Sequence, residues 1–130
     1  MNIDWIIPCR FAEVHDNLAT IVGGGIDTWW LPELPAPMQV VTVIRLLGTK
    51  DEFGDVEHSL ESRVQDPGGG HVSGLEGTFQ VGAAPEQLRD EWLNQMTMPM
   101  VVTFEAQTEG TYSLWFSVDD AEKQVGCSIR

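Results

Sequence analysis

The chain has 130 residues, with 20 acidic and 7 basic side chains and a formal net charge of −13. That length fits one domain, residues 1–130, large enough to bury a core without a metal or a disulfide. A hydrophobic fraction of 42% excludes disorder by composition. The acidity weighs against a nucleic-acid partner, which needs a basic stripe. No run of 18 apolar residues is present to span a membrane.

The dominant sequence period is two. Ile3, Trp5, Ile7, Cys9 and Phe11 alternate with Asn2, Asp4, Arg10 and Ala12, the pattern of a half-buried strand. Asp4 ahead of a short apolar run closed by Pro8 does not read as a secretory leader, so the expected location is cytoplasmic. Cys9 and Cys127 are the only cysteines and read as two buried thiols rather than a disulfide. Val14-His15-Asp16-Asn17 reads as a turn and Leu18 to Val22 as a second strand. Gly23-Gly24-Gly25 has no lysine nearby and precedes β-prone residues. It reads as a bend carrying the chain between sheets, not as a phosphate cradle.

Trp29 and Trp30 are adjacent and must point to opposite faces of an extended segment. One is expected to pack inside, leaving the other near Leu31, Pro32, Leu34 and Pro35. Pro32, Pro35 and Pro37 stiffen the connector that follows. Met38 to Leu47 is apolar on both faces, as in a central strand covered from both sides. Gly48 to Asp55 is a charged loop. Val56, His58, Leu60, Ser62 and Val64 form one face of the next strand, which makes His58 a satisfied core histidine. Asp66-Pro67-Gly68-Gly69-Gly70 is a turn, and His71 to Val81 holds a further strand.

Pro85 and Glu86 open the only segment patterned as a helix, residues 85–96, with Leu88, Trp92 and Met96 as its apolar stripe. Met100, Val102, Phe104 and Ala106 face inward on the next strand. Tyr112, Leu114, Phe116 and Val118 do so on the one after it. Asp119 to Glu122 form a tight hairpin before a last strand through Ile129. About eight short strands argue for an all-β fold, an immunoglobulin-like β-sandwich in the broad sense with one short helix. Glu109-Gly110-Thr111-Tyr112 suits a corner in which the tyrosine hydroxyl bonds back to upstream backbone.

Cys9-Arg10-Phe11-Ala12 followed by Leu18-Ala19-Thr20-Ile21-Val22-Gly23-Gly24-Gly25 resembles the start of a family of small bacterial proteins of unknown function. Pro35 to Leu47 and Gly110 to Val118 extend the resemblance. It implies a compact β domain and brings no activity. The tandem tryptophans are not part of that pattern.

No catalytic constellation is present. There is no Gly-x-Ser-x-Gly elbow, no metal-ligand spacing among His15, His58 and His71, and no reason for Cys9 and His15 to meet. Acidic loops offer weak calcium candidates in Asp51, Asp55, Asp119 and Asp120, with Glu52, Glu57 and Glu122 beside them. The expectation is a non-enzymatic cytoplasmic module without a cofactor. It would bind another protein or itself through strand edges and through Trp29, Trp30, Leu31 and Leu34. A small-ligand or calcium module and a virion-associated structural component are the alternatives.

Overall fold

The structure is a computed structural model describing residues 1–130. Ten strands form: β1 (Asn2–Cys9), β2 (Phe11–His15), β3 (Leu18–Val22), β4 (Thr28–Trp29), β5 (Ala36–Gly48), β6 (His58–Gln65), β7 (His71–Phe79), β8 (Asn94–Ala106), β9 (Gly110–Val118) and β10 (Ala121–Ile129). A single 3-10 turn spans Lys50–Glu52. The strands make a three-stranded sheet ordered β1-β5-β8, a five-stranded sheet ordered β4-β10-β9-β6-β7, and the separate hairpin β2-β3. No helix is long and apolar enough to cross a membrane.

One apolar cluster joins the two larger sheets. Ile3, Val40, Ile44, Leu46, Val102 and Phe104 come from the three-stranded sheet; Val64, Leu114, Phe116, Cys127 and Ile129 come from the five-stranded one. The alternation expected for residues 112–118 is present, with Tyr112, Leu114, Phe116 and Val118 buried. That expected for residues 56–64 holds from His58, with Ser62 and Val64 also buried, whereas Val56 precedes β6 and is exposed.

The first strand departs from its expected parity. The ladder to β5 slips between Ile3 and Trp5, leaving Asp4 as a bulge. Ile3 lies in the core and Ile6 packs against it. Trp5 and Ile7 are placed opposite Arg45 and Val43, on the other face of the sheet. A single unpaired residue reverses which face every later side chain takes. That second face is covered in part by the β2-β3 hairpin, whose Ile21 lines a small cavity together with Trp5 and Ile7. Val43, on that same face of β5, is fully buried. The two-faced hydrophobicity of residues 38–47 is thereby accounted for.

The helix expected over residues 85–96 does not form. Residues 86–92 make turns, and β8 begins at Asn94. β5 is 13 residues long and pairs with β8 over its whole length, from Ala36 opposite Ala106 to Gly48 opposite Asn94. Met96, Met98 and Met100 then follow the same inward alternation as Val102 and Phe104. A short isolated helix has little stability of its own, and a full ladder to a central strand outweighs a three-residue stripe. The strand count also rises from about eight to ten. The expected first strand ends at Cys9, so that Phe11 to His15 form β2 and take Val14 and His15 out of the expected turn, and Thr28–Trp29 adds a short edge.

Turn chemistry follows the sequence closely. Asp16 and Asn17 both take positive φ, as a two-residue hairpin turn requires. Gly23 and Gly25 do the same in the bend between β3 and β4, which carries the chain out of the small hairpin and into the five-stranded sheet. Gly110 combines a φ of +133° with a Cβ position only 2.6 Å from Pro67 Cγ, so a side chain there meets both strain and a clash. Two residues on, the buried Tyr112 hydroxyl donates to the Thr108 carbonyl at 2.9 Å and accepts from the Thr108 N–H at 3.3 Å. This is the backbone-anchoring corner expected of Tyr112.

Candidate functional site

The two tryptophans separate as their adjacency requires. Trp29 and Ile129 are partners in a short parallel pairing with β10, and the Trp29 ring packs against the core. Trp30 is 79% exposed, the highest value among the large apolar side chains. The Leu31 N–H donates to the Arg130 carbonyl at 2.8 Å, and Leu31 and Leu34 pack against the core from the rim. Trp30 therefore stands on a short segment fixed on both sides. Trp92 belongs to the turns of residues 86–92 and is half exposed beneath the Arg89 guanidinium.

The acidic loops do meet at one end of the molecule, through His58. Its ring is 3% exposed. Nδ1 lies 2.8 Å from Asp119 Oδ2 and Nε2 lies 2.7 Å from the Glu52 carbonyl oxygen. Both neighbours are acceptors only, so the imidazole satisfies both when it carries two protons. Burial opposes that charge, but the Glu52 carbonyl and the Asp119 carboxylate outweigh it and hold the pKa above 6.5. Burial also works to raise the Asp119 pKa. Its bonds to His58 and to the Ser59 N–H, the latter at 3.1 Å, reverse this and lower it. The Met1 nitrogen contacts the Glu52 carboxylate and lies 3.7 Å from Asp119 Oδ2. His58 also packs on Phe79, with ring centroids 5.4 Å apart.

Two of the four carboxylates named as calcium candidates, Asp51 and Asp119, are engaged in hydrogen bonds. Asp51 accepts from the Thr49 hydroxyl, which lowers its pKa, and Asp119 is committed to His58 and Ser59. No group of three or more His, Cys, Asp or Glu side chains is placed to hold a metal ion. His15 and His71 lie exposed and apart from His58. Cys9 and Cys127 are free and buried, and burial lifts the Cys127 thiol to about 12.

The largest cleft, about 540 Å³, was not legible in the sequence. It lies between the hairpin tip at Asn17, Phe53, residues 80–85 and the start of β8. The Asn17 side chain accepts from the Thr97 N–H at 2.7 Å and donates to the Gln95 carbonyl, so the hairpin tip grips the edge of β8. The turn residue Asn17 was evident, but its partners lie 78 and 80 positions away.

A protein-family model described as a family of unknown function (DUF6941) matches residues 4–126. The chain belongs to this family. No curated protein and no solved structure matches it.

Proposed function

We propose that the protein is a non-enzymatic cytoplasmic interaction module, an immunoglobulin-like β-sandwich in the broad sense, that self-associates through the Trp29–Leu34 segment. The observation that carries this reading is the Trp30 ring, 79% exposed on a segment whose neighbours Trp29, Leu31 and Leu34 are anchored on the core. A rigidly mounted, solvent-facing tryptophan suits the centre of a contact. Residues 29–35 carry only one charge, Glu33, in a chain of net charge −13. Two like-charged copies repel least where they approach through such a stretch, and a two-fold contact uses the same patch twice.

A non-catalytic role is favoured by the state of His58, the one histidine held against a carboxylate in the interior. Both ring nitrogens are bound to structural acceptors, which leaves neither free for proton transfer to a ligand. The sandwich assignment draws on the shared core of the two larger sheets and on the Tyr112 corner. Sedimentation over a concentration series tests the reading. The wild type is expected to dimerise and Trp30→Ala to remain monomeric. A wild type that stays monomeric throughout overturns it.

A further inference from the structure

The two larger sheets present four edge strands, and unpaired edges invite added strands unless something blunts them. β1 is blunted by the Asp4 bulge and by Pro8, and the Lys123 ammonium donates to the Asp4 carbonyl at 2.7 Å. β4 is only two residues long. On β8, Asn17 occupies the Thr97 N–H and the Gln95 carbonyl, Pro99 offers no N–H, and the Ser73 hydroxyl donates to the Thr103 carbonyl at 3.0 Å. The outward groups of Gln95, Thr97 and Thr103 fall on alternate residues, which places Pro99 in the same outward phase, where its missing N–H costs no ladder bond.

β7 differs from all three. It runs for nine residues, and every ladder partner it has lies on β6. It holds no proline, lysine or arginine. Leu75 sits opposite the buried Ser62, on the core-facing side of the sheet, yet is 60% exposed because three strands do not reach across five. Leu75 and the half-exposed Val101 line one groove of about 200 Å³ between β7 and β8. On the other side of β7, Glu76 lies opposite Glu61. A second groove of about 480 Å³ there is lined by Glu61, Glu76 and Asp119 and by no cation. Arg63 and His71 line a neighbouring groove with Glu61 and Glu76, and the Arg63 guanidinium is paired with Glu122 and lies over the Trp115 ring.

We infer that the β7 edge accepts an extended segment of another protein, one in which apolar residues alternate with lysine or arginine. Main-chain bonds to β7 would hold the segment. Its apolar residues would face Leu75 and Val101, and its cations would face Glu61 and Glu76, since side chains of an added strand alternate between the two faces. Charge selects this occupant over a second copy of the chain, which would bring its own Glu61 and Glu76 to the same edge. The site is distinct from the Trp30 segment and stands without it.

A capped peptide of alternating lysine and valine, nine residues long and fluorescently labelled, is the probe. An isomer with its lysines and valines in two blocks and an alternating glutamate–valine peptide are the controls. Titration at low and moderate salt is expected to show binding of the alternating basic peptide only, weakening as salt rises. Its addition should slow amide hydrogen exchange within residues 71–79. Glu76→Lys, a surface change, should weaken binding at least tenfold while Trp30→Ala leaves it unchanged. Leu75→Lys should do the same as Glu76→Lys, and the latter alone decides if Leu75→Lys does not fold. Absence of binding, equal binding of the block isomer, or binding indifferent to Glu76→Lys overturns the inference. So does sedimentation that shows a wild-type dimer abolished by Glu76→Lys, which would assign the edge to a second copy.

Discussion

His58 and Trp30 are both large, ring-bearing side chains set close to the ends of strands, and they are treated in opposite ways. His58 is closed in, with each ring nitrogen bonded and one face packed on Phe79. Trp30 is left out in solvent on a segment whose other apolar side chains are used. A buried polar ring must satisfy every donor and acceptor or lose the desolvation energy of the group. An exposed apolar ring contributes little to the fold that carries it. The contrast separates a side chain that maintains this fold from one that the fold does not use.

The largest effect is expected at His58. His58→Ala leaves the Glu52 carbonyl and the Asp119 carboxylate without their donor and opens a cavity beside Phe79. The cost is about 3 kcal/mol, at the low end for a broken buried pair because Asp119 is partly exposed. Urea unfolding at neutral pH measures it. The pH profile carries a second signature. The His58 pKa is raised by folding, so its contribution is full below the ordinary value of 6.5 and disappears as pH rises through the higher folded value. The Asp119 pKa is lowered, so its contribution is full above 3.8 and disappears as pH falls through the lower folded value. The pair therefore stabilises most between 3.8 and 6.5. Thermal melts across pH should show an alkaline decline in the wild type that is reduced in His58→Ala; an identical decline in both would remove His58 from the account.

Tyr112→Phe comes next. The ring remains packed, with its centroid 5.2 Å from that of Phe104, and only the hydroxyl is lost. Thr108 then lacks its partner at both carbonyl and N–H. The expected loss is about 1–1.5 kcal/mol, the net worth of one such anchored hydroxyl. An unchanged denaturation midpoint would mean water replaces the hydroxyl without penalty.

These two residues also show where a sequence is readable and where it is not. The burial of His58 and Tyr112 follows from period-two alternation, which is local. The upstream bond of Tyr112 spans four residues and was accessible for the same reason. Asp119, the partner of His58, lies 61 positions away, and only the β6-β9 pairing brings the two together. The reversed parity of Trp5 and Ile7 depends on one bulged residue that no periodicity announces. The turns of residues 86–92 carry a helical stripe in Leu88, Trp92 and Met96, and its last member is claimed by β8 because β5 is long enough to need it. The difference between β7 and the other edges is a property of sheet order, which composition does not encode.

Trp30→Ala is the smallest expected change in stability and the sharpest test of the contrast. With four-fifths of the side-chain-bearing residue exposed, little area is lost from the folded state and no cavity opens. The shift should stay within about 0.5 kcal/mol, as for other surface substitutions. Trp29→Ala, one position earlier, removes a ring packed against the core and should cost several times more. The two variants differ by one residue along the chain, so composition, charge and segment are held constant between them. Equal losses in urea would mean that Trp30 packs on its own fold in solution and that the segment has no spare ring to offer. A near-zero loss for Trp30 beside a large one for Trp29 leaves association as the remaining consequence of the Trp30 change, and sedimentation of the same two variants reads it directly.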